Sequence, residues 1–227
     1  MHAALIIPAL DEEDAIVATL REIPRDLFEM ILVVDNGSRD ATADAAGEAG
    51  AAVIRESRRG YGAACLAGIA ALPAQIDVVV FMDADGSDEP ADAARLLAPI
   101  EAGEADFVLG SRVAGDAERG ALAAHQRFGN RLAVTLMRGL LGHSYSDLGP
   151  FRAIRRASLE ALRMRDRDYG WTIEMQIQAV RRGLRIQEIP VRYRKRRGGR
   201  SKVSGNVWGS FAAGCKILWT VARLSRA

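Results

Sequence analysis

Five short apolar runs, AALIIPA, MILVVD, AAVIRE, IDVVVFMD and ADFVLG, alternate with helix-like segments through the first 110 residues. Rich in Val and Ile and bounded by turn residues, they read as buried strands. The segments between them, DEEDAIVATLREI, RDATADAAGEAG, YGAACLAGIAAL and DEPADAARLLAPIEAG, are Ala- and Leu-rich with acids near their starts. This alternation predicts right-handed βαβ units and an α/β fold with a largely parallel sheet covered on both faces. Past residue 110 the pattern loosens. A helix is expected from about His125 to Leu140, ended by Gly142, then the turn SDLGP, a strand-like FRAI, helices near 156–164 and 171–182, and a strand in LRIQEIPVRY. With no internal repeat or low-complexity linker, the reading is one domain over 1–205 and an appended segment over 206–227.

In such sheets ligands bind beyond the carboxyl ends of the strands. Pro8, Leu10, Asp11 and Glu12 follow the first run, Asp35, Asn36 and Gly37 the second, and Arg58, Arg59 and Gly60 to Gly62 the third. Asp83, Asp85 and Gly86 follow the fourth, and Gly110, Ser111 and Arg112 the fifth. Every strand thus delivers polar or glycine residues to one rim. In VVVFMDADGSDEP, Asp83 and Asp85 stand at i and i+2, so extended geometry points both carboxylates to one side. Two hard oxygen ligands at a strand end suit Mg2+ or Mn2+, which bind one or two carboxylates plus substrate phosphate oxygens. Ser87, Asp88 and Glu89 read instead as a cap for a helix beginning at Pro90. Asp35 is placed to accept a hydrogen bond from a base N–H or a ribose hydroxyl, and Asp40 with Thr42 to begin the next helix.

The net charge of +2 hides a division. Residues 1–150 hold 12 Lys+Arg against 24 Asp+Glu, and residues 151–227 hold 19 against 5. The basic half suits an anionic partner: phosphate, nucleic acid or a membrane surface. Nucleic acid is disfavoured, because the acidic half repels a polyanion and no helix-turn-helix or aromatic-interleaved pattern accompanies the basic run 181–202. Cys65 and Cys215 lack paired or metal-ligand spacing, and three scattered histidines give zinc no support. A reducing, cytoplasmic setting follows. The N-terminal apolar run is met at once by acids and reads as a strand, not a signal peptide.

Taken in order, PALDEED, VVDNGSRDAT, ESRRGYGAA, FMDADGSDEP, GSR, SDLGPFRAIRR, YGWTIEMQIQA and RRGGRSKVSG resemble the family 2 glycosyltransferases of the GT-A fold, a Rossmann-like sheet flanked by helices. Within that family they are most similar to the dolichyl-phosphate and polyprenyl-phosphate mannose or glucose synthases. The resemblance covers about residues 4–205. It implies a nucleotide-sugar donor (UDP- or GDP-linked) and a divalent metal, Mg2+ or Mn2+. Pro8, Leu10, Glu12 and Asp35 would surround the nucleoside; Asp83 and Asp85 would form the DxD motif, with Asp85 the more direct metal ligand. Arg112 and Arg196 match phosphate-handling arginines, Asp147 matches the acidic residue acting on the acceptor, and Glu174 a recurrent acidic position of open role. Ser201 and Lys202 in GRSK would join the acceptor or phosphate contacts. Several positions depart from the family pattern: Asn36 for a second Asp, Asp11-Glu12 for Asn-Glu, Ser87 for a Gln on the metal, and GPFR for SGFR. They bear on the sugar and the acceptor, not on the fold.

Arg58 and Arg59, with Gly62 beyond them, stand either against the diphosphate or in a solvated loop. Arg127 opens a helix as a phosphate contact, His125 is structural, and Trp171 is core rather than a sugar platform. The expected chemistry is inverting hexosyl transfer: arginines and metal neutralise the departing diphosphate while an acceptor oxygen attacks from the opposite face. In the tail NVWGSFAAGCKILWTVARLSRA, Trp208, Phe211, Cys215, Leu218 and Trp219 fall on one helical stripe, too short and too charged to span a bilayer. This amphipathic helix and the basic segment before it predict a peripheral protein on the inner membrane face, acting on a lipid-phosphate acceptor. The alternative is a soluble small-molecule acceptor. A sugar nucleotidyltransferase would need a Gly-rich, Lys-containing loop where PALDEED stands.

Overall fold

The computed structural model describes residues 1–198. In chain order it has β1 (Ala3–Ala9), α1 (Glu13–Glu22), β2 (Met30–Asp35), α2 (Thr42–Glu48), β3 (Ala52–Arg55), α3 (Tyr61–Ala70), β4 (Val78–Phe81), α4 (Ala93–Glu101), β5 (Phe107–Ser111), α5 (Ala124–Leu141), β6 (Arg152–Arg155), α6 (Arg156–Leu162), α7 (Trp171–Arg181) and β7 (Ile186–Pro190). The seven strands form one sheet in the order β3-β2-β1-β4-β6-β5-β7. Six run the same way; β6 is antiparallel to β4 and to β5.

Alternation along each strand divides the core. Ala4 and Ile6 of β1 face the layer holding α3, α5, α6 and α7, whereas Leu5 and Ile7 face α1, α2 and α4. β1, β2, β4 and β5 are buried on both faces, which is why they read as continuous apolar runs, whereas β3, expected from AAVIRE to be buried, is an edge strand with no buried residue. Trp171 lies 1% exposed in the first layer, edge-on to Phe81 at 6.1 Å, as core. The helix expected near 125–140 runs from Ala124 to Leu141 and ends on left-handed Gly142 at φ 67°.

The reversal of β6 positions the site. The carboxyl ends of β1, β2, β4 and β5 share a rim with the amino end of β6, so the loop leading into β6 delivers Asp147 beside Arg112 at the end of β5. The tail beyond residue 198, including Ser201, Lys202 and the amphipathic segment 206–227, lies outside the described residues.

Candidate active site

The β4 strand ends in three carboxylates within six residues. Asp85 is buried; its Oδ1 accepts the backbone N–H of Ser87 at 2.9 Å and the Ser87 hydroxyl at 2.5 Å. Asp88 is 1% exposed; its Oδ2 accepts the N–H of Asp83 at 3.2 Å, while its Oδ1 has no partner. Ser87 and Asp88 therefore do not cap the following turn, whose start carries no side-chain cap. They fold back onto the strand end, because Gly86 at φ 73° reverses the backbone between them and Asp85. Burial, then the charge of Asp85, raises the Asp83 carboxyl to about 7, and burial with the same neighbours raises Asp88.

Excess buried negative charge with an unpartnered oxygen is an arrangement that a divalent cation relieves. Among the described residues no three His, Cys, Asp or Glu side chains close a cage around a point. Mg2+ and Mn2+ take few protein carboxylates and complete their shell with water and phosphate, which Asp85 with Asp83 or Asp88 beside it would allow. The donor set fits such an ion.

A basic strap crosses this rim. Tyr193 makes bridges to Asp88 and Ala117, the Arg194 N–H donates to Ser87 O at 2.7 Å, and the Arg197 N–H donates to Asp85 O at 3.0 Å. Within the strap, Arg196 donates to Glu12 Oε1 and Oε2 at 2.7 and 2.6 Å and reaches Asp85 Oδ2 at 3.0 Å. Arg194 pairs with Glu22 and Glu89, and Arg197 with Glu22. Part of the charge asymmetry in the sequence is thus internal, since three arginines of the basic strap lie on acids of the N-terminal half.

At the end of β5, Arg112 meets Asp147. Nε donates to Oδ2 and Nη2 to Oδ1, both at 2.8 Å, and the Arg112 N–H adds a bond to Oδ2 at 2.9 Å. The Leu148 N–H also donates to Oδ1 at 2.8 Å, so both oxygens of Asp147 are engaged. Burial disfavours the guanidinium charge, but Asp147 outweighs it and holds Arg112 firmly charged. The guanidinium also lies 5.1 Å above the Tyr193 ring.

Three residues that sequence reasoning missed fix this loop. Glu188 of β7 accepts the Ser146 N–H at 2.9 Å, Gln176 of α7 donates to Asp147 O at 3.0 Å, and Asn130 of α5 bonds Ser146 O and the Leu148 N–H at 3.1 and 2.9 Å. A fourth, Arg152, is fully buried on the Thr172, Leu148 and Gly149 carbonyls. The first three act across 16 to 42 residues of sequence, which no local pattern shows, whereas Arg152 stands in the GPFR run and reaches back three and four residues as well as across to Thr172.

On the other flank Asp35 ends β2 and accepts the Ser38 N–H at 3.0 Å. It lines a cleft of ≈ 370 Å³ with Gly37, Ser38, Arg55 and Glu56. Pro8, in register with Val34, is buried in β1, and Leu10 is half-buried at its end. Asn36 donates to the carbonyls of Glu56 and Arg58 at 3.1 and 2.8 Å and accepts from the Gly60 N–H at 2.8 Å. A carboxylate could not donate those two bonds, which accounts for Asn at this position. The Arg58 side chain is exposed. Gly62 is buried in α3 where a Cβ would come within 2.2 Å of Asp166 O, so its observed role is close packing. That loop is in turn held by Glu174, whose Oε2 accepts the N–H groups of Arg165 and Asp166 at 3.0 and 2.7 Å. Arg127 is exposed on α5, donating to Leu122 O at 3.1 Å. A larger hollow of ≈ 640 Å³ lies at the opposite rim, near Asp77, Arg155 and Arg156, and gathers none of these residues.

A mostly parallel seven-stranded α/β sheet flanked by helices, with paired aspartates beyond a strand end on one rim, is the GT-A-type fold. The glycosyl transferase family 2 model matches residues 4–163, and the chain belongs to that family. It is 37% identical over 213 residues to an uncharacterized glycosyltransferase of Mycobacterium tuberculosis, covering 92% of this chain and 93% of that one. It is 34% identical over 216 residues to the polyprenol monophosphomannose synthase of Mycolicibacterium smegmatis, covering 89% and 81%. Among solved structures it resembles glucosyl-3-phosphoglycerate synthase of Mycobacterium tuberculosis in complex with Mn2+, UDP and phosphoglyceric acid, at 25% identity and TM-score 0.80, covering 99% of this chain and 78% of that one.

Proposed function

We propose that the chain is an inverting, metal-dependent hexosyltransferase that moves a sugar from a nucleotide diphosphate to a polyprenyl phosphate. The observation that carries this reading is the meeting, on one rim, of the Asp83–Asp85 strand end with the Arg112–Asp147 pair. Asp85, with Asp83 or Asp88 beside it, would hold Mg2+ or Mn2+, which supplies Lewis-acid neutralisation of the leaving diphosphate. Asp35 and the cleft beside it receive the nucleoside, with Pro8, Leu10 and Glu12 on the neighbouring strand end. Arg196, now spanning Glu12 and Asp85, is within its own reach of an arriving diphosphate and exchanges a carboxylate for a phosphate partner.

Asp147 is occupied by four donors and acts here as a positioning residue. It fixes the plane of Arg112, which then meets the acceptor or leaving-group phosphate as a pre-oriented cation. A phosphate acceptor is already anionic and needs no strong base, so orientation is the larger part of the task. Lipid-phosphate transfer is supported by the 34% identity to the polyprenol monophosphomannose synthase over most of both chains. A second reading, transfer to a small phosphorylated acceptor, is supported by the likeness to the phosphoglyceric acid complex.

The test supplies UDP- and GDP-hexoses with Mn2+ or Mg2+ and offers a short-chain polyprenyl phosphate or 3-phosphoglycerate. Sugar transfer to the polyprenyl phosphate is expected; transfer to 3-phosphoglycerate alone selects the second reading, and metal-independent turnover refutes the mechanism.

A further inference from the structure

We infer that the outward face of α5 docks on an anionic lipid surface and sets the Asp147 loop just beneath it. The described residues expose only five large apolar side chains, and three are on this helix: Phe128 at 70%, Leu132 at 40% and Leu140 at 51%. With half-buried Leu136 they recur every fourth residue and make one stripe. Alongside it run Arg127, Arg131 and Arg138, all exposed, and no carboxylate pairs with any of them among the described residues. The 18 residues of α5 contain no Asp or Glu. An apolar stripe bordered by arginines is the pattern of a helix lying in a membrane interface. No described helix is long and apolar enough to cross a bilayer.

Charge selects the occupant. A second copy docked through the same face would supply no acid to the arginine row, whereas anionic headgroups supply the missing charge. The placement also has a chemical consequence. The inner side of α5 carries Asn130, which clamps Ser146 and Leu148 on either side of Asp147. The loop that enters the helix begins at Arg112, followed by exposed Val113. The Arg112–Asp147 pair therefore sits about one helix diameter, ~10 Å, behind the docking face. A phosphate tethered to a lipid reaches it without leaving the surface. This last point rests on the lipid-phosphate reading; the docking face itself does not.

Vesicle flotation of the full chain tests the inference, using phosphatidylcholine with and without phosphatidylglycerol. Two variants on exposed positions are compared, Phe128→Ser/Leu132→Ser/Leu140→Ser and Arg131→Gln/Arg138→Gln. The first is expected to lower partition at least about tenfold on both vesicle types, by loss of buried apolar area. The second should lower it about fivefold per arginine on the anionic vesicles only. Both should keep the wild-type melting temperature and donor hydrolysis rate. Flotation of both variants at the wild-type level, or none by the wild type, overturns the docking face. So does a wild-type dimer that the first variant dissociates while vesicle binding persists. Docking through α5 with no transfer to polyprenyl phosphate supports the surface and fails the acceptor reading; transfer in detergent with no docking does the reverse.

Discussion

Arg112 holds Asp147 through two side-chain bonds of 2.8 Å and a backbone bond of 2.9 Å, joining the end of β5 to the loop before the reversed strand β6. Asp147 is 1% exposed, so removing its charge leaves the half-buried guanidinium without its ion-pair partner. Asp147→Asn should destabilise the fold by about 3 kcal/mol. It should also lower kcat far more than donor affinity, because the lost function is orientation in the reacting complex. Denaturant melts with single-turnover kinetics check this. Turnover within about threefold of wild type, roughly 0.6 kcal/mol, makes Asp147 a loop anchor only.

Arg196 stands on Asp85 where a metal ion would be held. In Arg196→Ala, Mn2+ should bind about fivefold more tightly in the absence of nucleotide, an effect of about 1 kcal/mol for a partly exposed pair. UDP should bind more weakly in its presence. Calorimetry with Mn2+ alone and with UDP separates the two; a parallel loss in both shows a purely structural strap.

The raised carboxyl of Asp83 has a stability signature. The unfolded chain loses this proton near the ordinary value of 3.8 and the folded protein near 7. The unfolded state therefore binds fewer protons between those pH values, and the contribution of Asp83 falls as pH rises from about 4 to 7, then levels. Asp83→Asn should remove that decline, so metal-free melting temperatures of mutant and wild type diverge as pH rises through this window. Equal slopes would show that burial does not penalise the Asp83 charge.

Glu174 draws two backbone N–H groups of the 165–166 segment onto one oxygen. Glu174→Gln should lower stability by about 1–2 kcal/mol, through weaker acceptance of both bonds. Once folded, the variant should keep kcat within about threefold. A large kcat loss at unchanged stability would place Glu174 in the reaction.

Much of this was legible in the sequence because a buried strand flanked by turn residues is a local pattern. The strands and the helix ended by Gly142 fall where periodicity puts them, and Asp83 and Asp85 follow β4 at the rim, though in a turn rather than in the extended geometry that their i, i+2 spacing suggests. What lay beyond reach is non-local. Nothing in FRAI says that it runs antiparallel, yet that reversal is what brings Asp147 to Arg112. Asp88 and Ser87 carry the composition of a helix cap, and only the turn at Gly86 shows them folding onto Asp85 and Asp83 instead. Glu188, Gln176 and Asn130 lie on three separate elements that meet only at one loop. Nor does the basic run 192–197 say which of its charges are paired within the chain: Arg194, Arg196 and Arg197 lie on Glu12, Glu22, Asp85 and Glu89.

The carboxylates that follow β4 are proposed to couple a metal ion to a nucleotide diphosphate. The most direct test of this coupling is calorimetry of UDP and GDP binding with and without Mn2+, in wild type and in Asp85→Asn, which keeps an acceptor for Ser87. The account predicts that Mn2+ tightens wild-type binding of one nucleotide by at least about tenfold, or 1.4 kcal/mol. It also predicts that the metal effect disappears in a folded Asp85→Asn. A metal-enhanced affinity that survives the substitution, or its absence from the wild type with both nucleotides, would contradict it.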